Sequence, residues 1–311
     1  MAFTDAAGRH RHTTGVIGAL TLSRPDEGFI LPHEHTTPKA KSDRLQMLRF
    51  CRANLSAIWV LTPAPVTELI GSPADGDPVW TDEDGTEHAL WVIDDPDTVA
   101  ALSGAVASRP VVVADGHHRY ETSLAYRDER RGAADGTPGS AGPAEATMAY
   151  VVELVAAELT VWPTHRVLED LDPGLDVAAA LAPWFELGDA TTLDALTLDT
   201  MVDTGTLVLV LPDGAWAMRP RPEAFDGVRD LDTSRIEVAL ADLGDATVRY
   251  HHDIAEVQRA VVSGEAQAGI LVRPATVDAI AQTADGGERM PPKTTFFHPK
   301  PRTGPVIRLL D

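Results

Sequence analysis

Cysteine is almost absent from this chain: Cys51 is the single one in 311 residues. No disulfide can form within the chain, which excludes a small secreted scaffold held by bridges and points to a reducing, cytoplasmic setting. Basic residues are also few. Lys and Arg number 26 against 47 Asp and Glu, a formal net charge of -21, whereas surfaces that grip DNA or RNA need clustered positive charge. Nucleic acid is therefore not expected as a partner. Long apolar runs are missing too: nothing reaches the roughly 20 residues that cross a bilayer, and residues 1–12 are small and polar, unlike a signal peptide. No membrane role is expected.

What is present is enough apolar residue, 44%, to build a sizeable core. Residues 14–23 read as a buried strand, and 29–36 as an extended segment because Pro32 and Pro38 forbid a helix between them. Ser42 and Asp43 suit the cap of a helix over 43–54 that carries Arg44, Arg49 and Arg52. Cys51 shares a face there with Leu45, Leu48 and Leu55, so a buried structural thiol is favoured over a nucleophile. A strand at 58–61, a helix at 66–70, and a hairpin over 78–95 with its second strand at 88–93 follow.

Next come a helix at 97–108, a strand at 110–114 and a helix at 117–130. Residues 131–145, rich in Gly, Ala, Pro and Ser, read as a mobile loop. Strands are expected at 148–155 and 159–167, then alternating pieces up to 283. The pattern is that of a mixed α/β, α+β protein. It divides into a core over 1–170 and a C-terminal α/β portion over 171–311, whose final loop at 286–300 is expected to return to the functional site.

Three constellations could carry chemistry. In the first, Asp115, Gly116, His117, His118 and Arg119 follow a buried strand and open a helix. Unpaired amides and the positive end of the helix dipole then face a ligand, and Gly116 permits the sharp turn. An anion fits there, with Asp115 able to hold a metal or orient a histidine; the competing reading makes Asp115 a simple cap. In the second, His33, Glu34 and His35 lie in extended chain, so the two histidines face one side and the glutamate the other. Glu34 suits a general base, His33 and His35 suit metal ligation, and a solvated loop is the bland alternative. In the third, Arg289 and Lys293 bring positive charge to an acidic chain, either to clamp phosphate or as a rigid surface loop. Arg52 and Asn54 are further candidates for the same pocket.

These motifs resemble a known family. The run 30–36, the helix with its Arg52-Ala-Asn54 end, the block from Ala114 through Asp-Gly-His-His-Arg, the Pro-Thr-His-Arg at 163–166 and the Glu-Arg-Met-Pro-Pro-Lys at 288–293 resemble the bacterial domain-of-unknown-function family 1015, in order along nearly the whole chain. Members carry a further strand-rich segment ahead of the position of Gly15, and often a lysine where this chain has His35, so the chain is expected to be N-terminally short. Taken alone, the Asp-Gly-His-His-Arg turn resembles that of the ParB and sulfiredoxin-like superfamily, which includes free serine kinases. That resemblance implies a ParB/sulfiredoxin-like core, phosphate binding by Gly116, His118 and Arg119, catalytic roles for Asp115 and His117, and Glu34 as the base.

The function expected is a nucleotide-dependent small-molecule kinase. ATP or ADP and Mg2+ would serve it, and a hydroxyl such as that of free serine would accept the phosphoryl group. Asp115 would hold the metal, Arg289 and Lys293 would neutralise charge, and His33, His35, Arg52 and Asn54 would meet the substrate. A metal-dependent hydrolase built on His33, His35, Asp115 and His117 or His118 is the first alternative, and a non-catalytic nucleotide-sensing module the second. The oligomeric state is open, a homodimer included.

Overall fold

A computed structural model describes residues 1–32, 38–134, 136–244, 246–286, 290–291 and 293–311. It is a mixed α+β protein with several sheets. Two compact units form. The first comprises Met1–Thr160, Val277–Arg289 and Phe297–Asp311, the second Val161–Thr276 and Met290–Phe296.

The chain runs through β1 (Ala2–Thr4), β2 (His10–His12), β3 (Gly15–Thr21), β4 (Ile30–Pro32), α1 (Pro38–Cys51), β5 (Ala53–Asn54), β6 (Ile58–Thr62) and α2 (Thr67–Ile70). It continues through β7 (Val79–Thr81), β8 (Glu87–Ala89), α3 (Pro96–Ala107), β9 (Val111–Asp115), α4 (His117–Ala133) and β10 (Ala146–Glu153). The main sheet of the first unit has the order β3-β10-β6-β9-β4. β10 runs parallel to β6, and β4 to β9, while the other pairs are antiparallel. Its central strands are apolar because both faces are covered. Ile58, Val60, Val111, Val113 and Ala149 pack toward Tyr120 of α4, and Trp59 on the other face meets Tyr150 and Phe297, with ring centroids 5.5 and 5.6 Å away. Burying Val, Ile and aromatic side chains of this size stabilises the sheet by about 1.5–3 kcal/mol each. α4 is anchored at its inner face, where Tyr120 donates to the Ser23 carbonyl and Arg127 to that of Leu22 at 2.8 Å.

In the second unit the elements are β11 (Thr160–Trp162), β12 (His165–Glu169), α5 (Val177–Leu181), β13 (Phe185–Ala190), α6 (Thr197–Thr204), β14 (Leu207–Leu211) and β15 (Gly214–Pro220). α7 (Asp232–Leu240), β16 (Thr247–His251), α8 (Ile254–Val262) and β17 (Ala268–Leu271) follow. The six-stranded sheet, in the order β13-β15-β14-β17-β12-β16, is antiparallel. Alternation along β14 sends Leu207 and Leu209 into one core and Val208 and Val210 into another, so both faces are covered. α9 (Val277–Asp285), β18 (Phe296–His298) and β19 (Arg308–Leu309) complete the chain, and β19 pairs with β5.

Several local expectations are corrected. Helix α1 starts at Pro38, whose fixed φ suits a first helical position, rather than at residue 43. It stops at Cys51 because Arg52 takes a positive φ of 48°, and residues 53–54 are strand. Cys51 is exposed, not buried: Leu45 and Leu48 reach the apolar cluster around Tyr126 and Leu310, and the helix ends as Cys51 turns outward. Strand β3 is only partly buried, since it lies at the edge of its sheet. The second hairpin strand ends at Ala89 rather than 93. Pro163, which has no N–H for a ladder, divides the strand expected over 159–167 into β11 and β12.

The segment expected to be mobile is tied down. α4 continues to Ala133, and the Glu145 carboxylate accepts from Arg131 Nε at 2.9 Å and from the N–H groups of Gly139 and Ala141 at 3.0 and 3.1 Å. Composition registers only the entropy of such a loop; one carboxylate with several donors offsets it.

Candidate anion-binding site

The site begins with a strand-to-helix turn. β9 is a run of valines and Ala114, all buried, so its last residue, Asp115, emerges at the C-terminal end of an interior strand. Gly116 then takes φ +92°, a left-handed conformation open to glycine, and α4 starts at His117. The first helical bond, from Tyr120 N–H to Gly116 carbonyl at 2.9 Å, leaves the amides of the preceding three residues at the positive end of the helix dipole.

Arg119 folds back over this turn. A Cβ placed on Gly116 would lie 2.9 Å from its Nε and Nη2, so a side chain here would push the guanidinium aside, in addition to the strain of the positive φ. Nη1 donates to the Ala57 carbonyl and, at 3.1 Å, to Ser56 Oγ, while Nη2 donates to Asp115 Oδ2 at 2.7 Å. Among the described residues, these bonds engage three of the five N–H groups a guanidinium carries.

The other oxygen of Asp115 is held by Lys300, with Nζ 2.5 Å from Oδ1. Burial acts to raise the pKa of Asp115, but Lys300 and Arg119 outweigh it, and the carboxyl titrates below its ordinary range. Arg44 on α1 is near enough to act electrostatically on Arg119. Both line a cleft of about 60 Å³ whose floor includes Asn54, Ser56 and Ser123. Among the described residues, Lys300 and Arg119 flank Asp115 and Arg44 lies beside Arg119, a local gathering of positive charge in an acidic protein.

Not every expected site residue comes here. His117 is buried at the first helical position, and His118 and Arg119 are partly exposed. Asn54 lines the cleft, but its Oδ1 accepts from the Met148 N–H at 2.9 Å and from Arg308 at 3.4 Å, so it ties β5 to β10 and β19. Arg52 is turned to Asp311, 3.6 Å away. Lys293 belongs to the second unit, is exposed, and presents its carbonyl to Arg166 Nη1 at 3.4 Å. His33, Glu34, His35 and Arg289 lie outside the described residues. Lys300 and Ser56 were not singled out from the sequence. A lysine 185 positions from Asp115 gives no local signal of partnership, and Ser56 acts only once Arg119 has folded back.

The expected Mg2+ does not fit Asp115 as arranged. Each carboxylate oxygen already faces a cation, and a divalent ion would have to displace Lys300 or Arg119 and approach the other. Among the described residues, no group of three or more His, Cys, Asp or Glu is placed to hold a metal. The groups gathered at this turn, a helix start with Arg119 and Lys300 on either oxygen of Asp115, suit an anion better than a cation.

No curated protein matches the sequence. Among solved structures, a free serine kinase in complex with AMP is 13% identical, with 92% of this chain and 88% of that one covered and a TM-score of 0.45. A conserved hypothetical protein from Pyrococcus furiosus is 11% identical, with 96% and 97% covered and a TM-score of 0.47. A C-terminally truncated SbnI from Staphylococcus aureus is 12% identical, with 91% and 82% covered and a TM-score of 0.46. The family model for the protein of unknown function DUF1015 matches residues 1–234, and the chain belongs to that family.

Proposed function

We propose that the Asp115–Arg119 turn binds the phosphate groups of ATP or ADP and that the protein is a phosphotransferase with an alcohol as acceptor. The hydroxyl of free serine or of a related hydroxy amino acid is the acceptor class. The observation that carries this reading is the left-handed Gly116 at the start of α4, with Arg119 and Lys300 on the two oxygens of Asp115 and Arg44 beside Arg119. Phosphoryl transfer asks mainly for charge neutralisation and in-line placement, and these cations supply the first.

In this scheme the acceptor oxygen bonds to the terminal phosphorus, the bond from that phosphorus to the nucleotide's bridging oxygen breaks, and the hydroxyl proton passes to Glu34. Arg119 and Lys300 meet the charge that gathers on the departing phosphate. Asp115 positions both cations, and buried His117 acts electrostatically to hold Asp115 ionised. Arg289 is proposed as a further phosphate contact. No step is assigned to a metal.

Phosphorus NMR of the purified protein with ATP or ADP and a panel of hydroxy amino acids tests the reading. A phosphate monoester should appear together with ADP from ATP, or AMP from ADP. Glu34→Gln should stop its formation while leaving nucleotide affinity within about twofold. Nucleotide binding without any ester would leave a sensing module, and absence of nucleotide binding would remove the phosphate reading altogether.

A further inference from the structure

The first unit contains a second concavity of different chemistry. It measures about 490 Å³, within the range of small-molecule sites, and its walls are largely apolar and aromatic. Trp80, Trp91 and Tyr150 line it together with Ile17, Ile70 and Val306. Ile17 and Tyr150 are register partners on β3 and β10, so their side chains share the face of the sheet that turns toward the cavity. Residues 90–93, which the sequence pattern assigns to a strand, leave the hairpin after Ala89 and form another wall.

The polar groups at this cavity argue for an uncharged ligand. Arg302 is paired with Asp82 at 2.8 Å and also with Asp84, and His88 Nε2 lies 2.9 Å from Asp82. Arg302 thus faces two carboxylates, and the Met1 ammonium, which also lines the cavity, donates to the Thr13 carbonyl at 2.9 Å. Trp80 is stacked on His88, with centroids 5.0 Å apart and planes 8° from parallel, which fixes the indole as a rigid flat surface. Trp91 donates its N–H to the Ile70 carbonyl at 3.2 Å and so is held in place as well. Preorganised rings and apolar walls, with the charged groups among the described residues already engaged by carboxylates or a carbonyl, are what a flat, uncharged ring system requires.

We propose that this cavity is a binding site for an uncharged planar aromatic or heteroaromatic molecule, separate from the anion-binding turn. The strap after β18 borders both places: Lys300 faces Asp115, and Pro301 and Arg302 line the cavity.

Fluorine NMR of 5-fluoroindole titrated into the full chain tests this without interference from protein tryptophans. Saturable broadening is expected. Ile17→Trp, which fills the cavity, should weaken binding by about tenfold or more, and so should Trp91→Ala, which removes a wall. Circular dichroism identifies a variant that fails to fold, in which case the other decides. Inorganic phosphate should not compete, and Arg119→Ala should leave the affinity within about twofold. No saturable binding to the wild type, binding unchanged in the folded cavity variants, or competition by phosphate would each overturn the proposal.

Discussion

Lys300 Nζ stands 2.5 Å from Asp115 Oδ1, although 185 positions separate the two residues in the chain. The pair closes the candidate site from the C-terminal end of the sequence and opposes the burial that would otherwise favour the neutral acid at Asp115. Lys300→Met should therefore raise the Asp115 pKa, measurable by carbon NMR of the labelled carboxyl. It should also weaken ATP or pyrophosphate binding by about tenfold, the size of one charge-assisted hydrogen bond. An unchanged Asp115 titration would show that Lys300 does not hold this carboxylate in solution.

Gly116 combines two demands that can be separated by mutation. Gly116→Ala places a methyl group in a left-handed backbone and against the Arg119 guanidinium, and should destabilise the fold by about 1–3 kcal/mol. Adding Arg119→Ala relieves the contact but not the backbone strain. The double variant should then be more stable than the sum of the two single changes predicts, a coupling that a thermal-unfolding cycle measures. Strict additivity would mean that Arg119 does not fold back over the turn.

The turn itself was legible in the sequence because every signal for it is local: an apolar run of valines, a glycine, then polar residues in helical phase. Strands β6, β9 and β10 and the start of α4 were readable for the same reason. Lys300 and Ser56 were not, because their roles arise from contacts that only the tertiary fold creates. Asn54 was misleading in the opposite sense, since a polar residue beside a cleft looks like a ligand contact until the Met148 N–H is seen to occupy its oxygen. Cys51 was misread because helical phase was carried past the point where Arg52 ends the helix. The apolar residues at 90–93 continued a strand pattern while serving as the wall of a cavity.

The 136–145 segment gives a prediction about order. Glu145 gathers Arg131 and two backbone N–H groups, and these interactions hold its pKa at about 2, with the Arg131 hydrogen bond the largest cause. Glu145→Ala removes the hub, so trypsin should cut after Arg130 or Arg131 several times faster than in the wild type. Far-ultraviolet circular dichroism should remain unchanged. Equal cleavage rates would show that the loop is ordered by something other than Glu145.

In the second unit, His165 ties acid stability to a single buried ring. It has no exposed surface, and its Nδ1 accepts the Val272 N–H at 3.2 Å, which requires the neutral ring. Burial first, then the neighbouring charges of Arg166, His252 and His251, pull its pKa down to about 3 from 6.5. The unfolded chain binds a proton near pH 6.5 that the folded chain refuses until near pH 3. The stabilising contribution is thus complete above pH 6.5 and is lost as pH falls from 6.5 toward 3, with a slope of up to about 1.4 kcal/mol per pH unit. His165→Asn keeps an acceptor for Val272 and cannot titrate, so its stability at neutral pH should be lower while its decline between pH 6 and pH 4 should be shallower by about one proton. Urea unfolding of both proteins at several pH values measures that difference, and parallel declines would show that His165 is not the group that titrates.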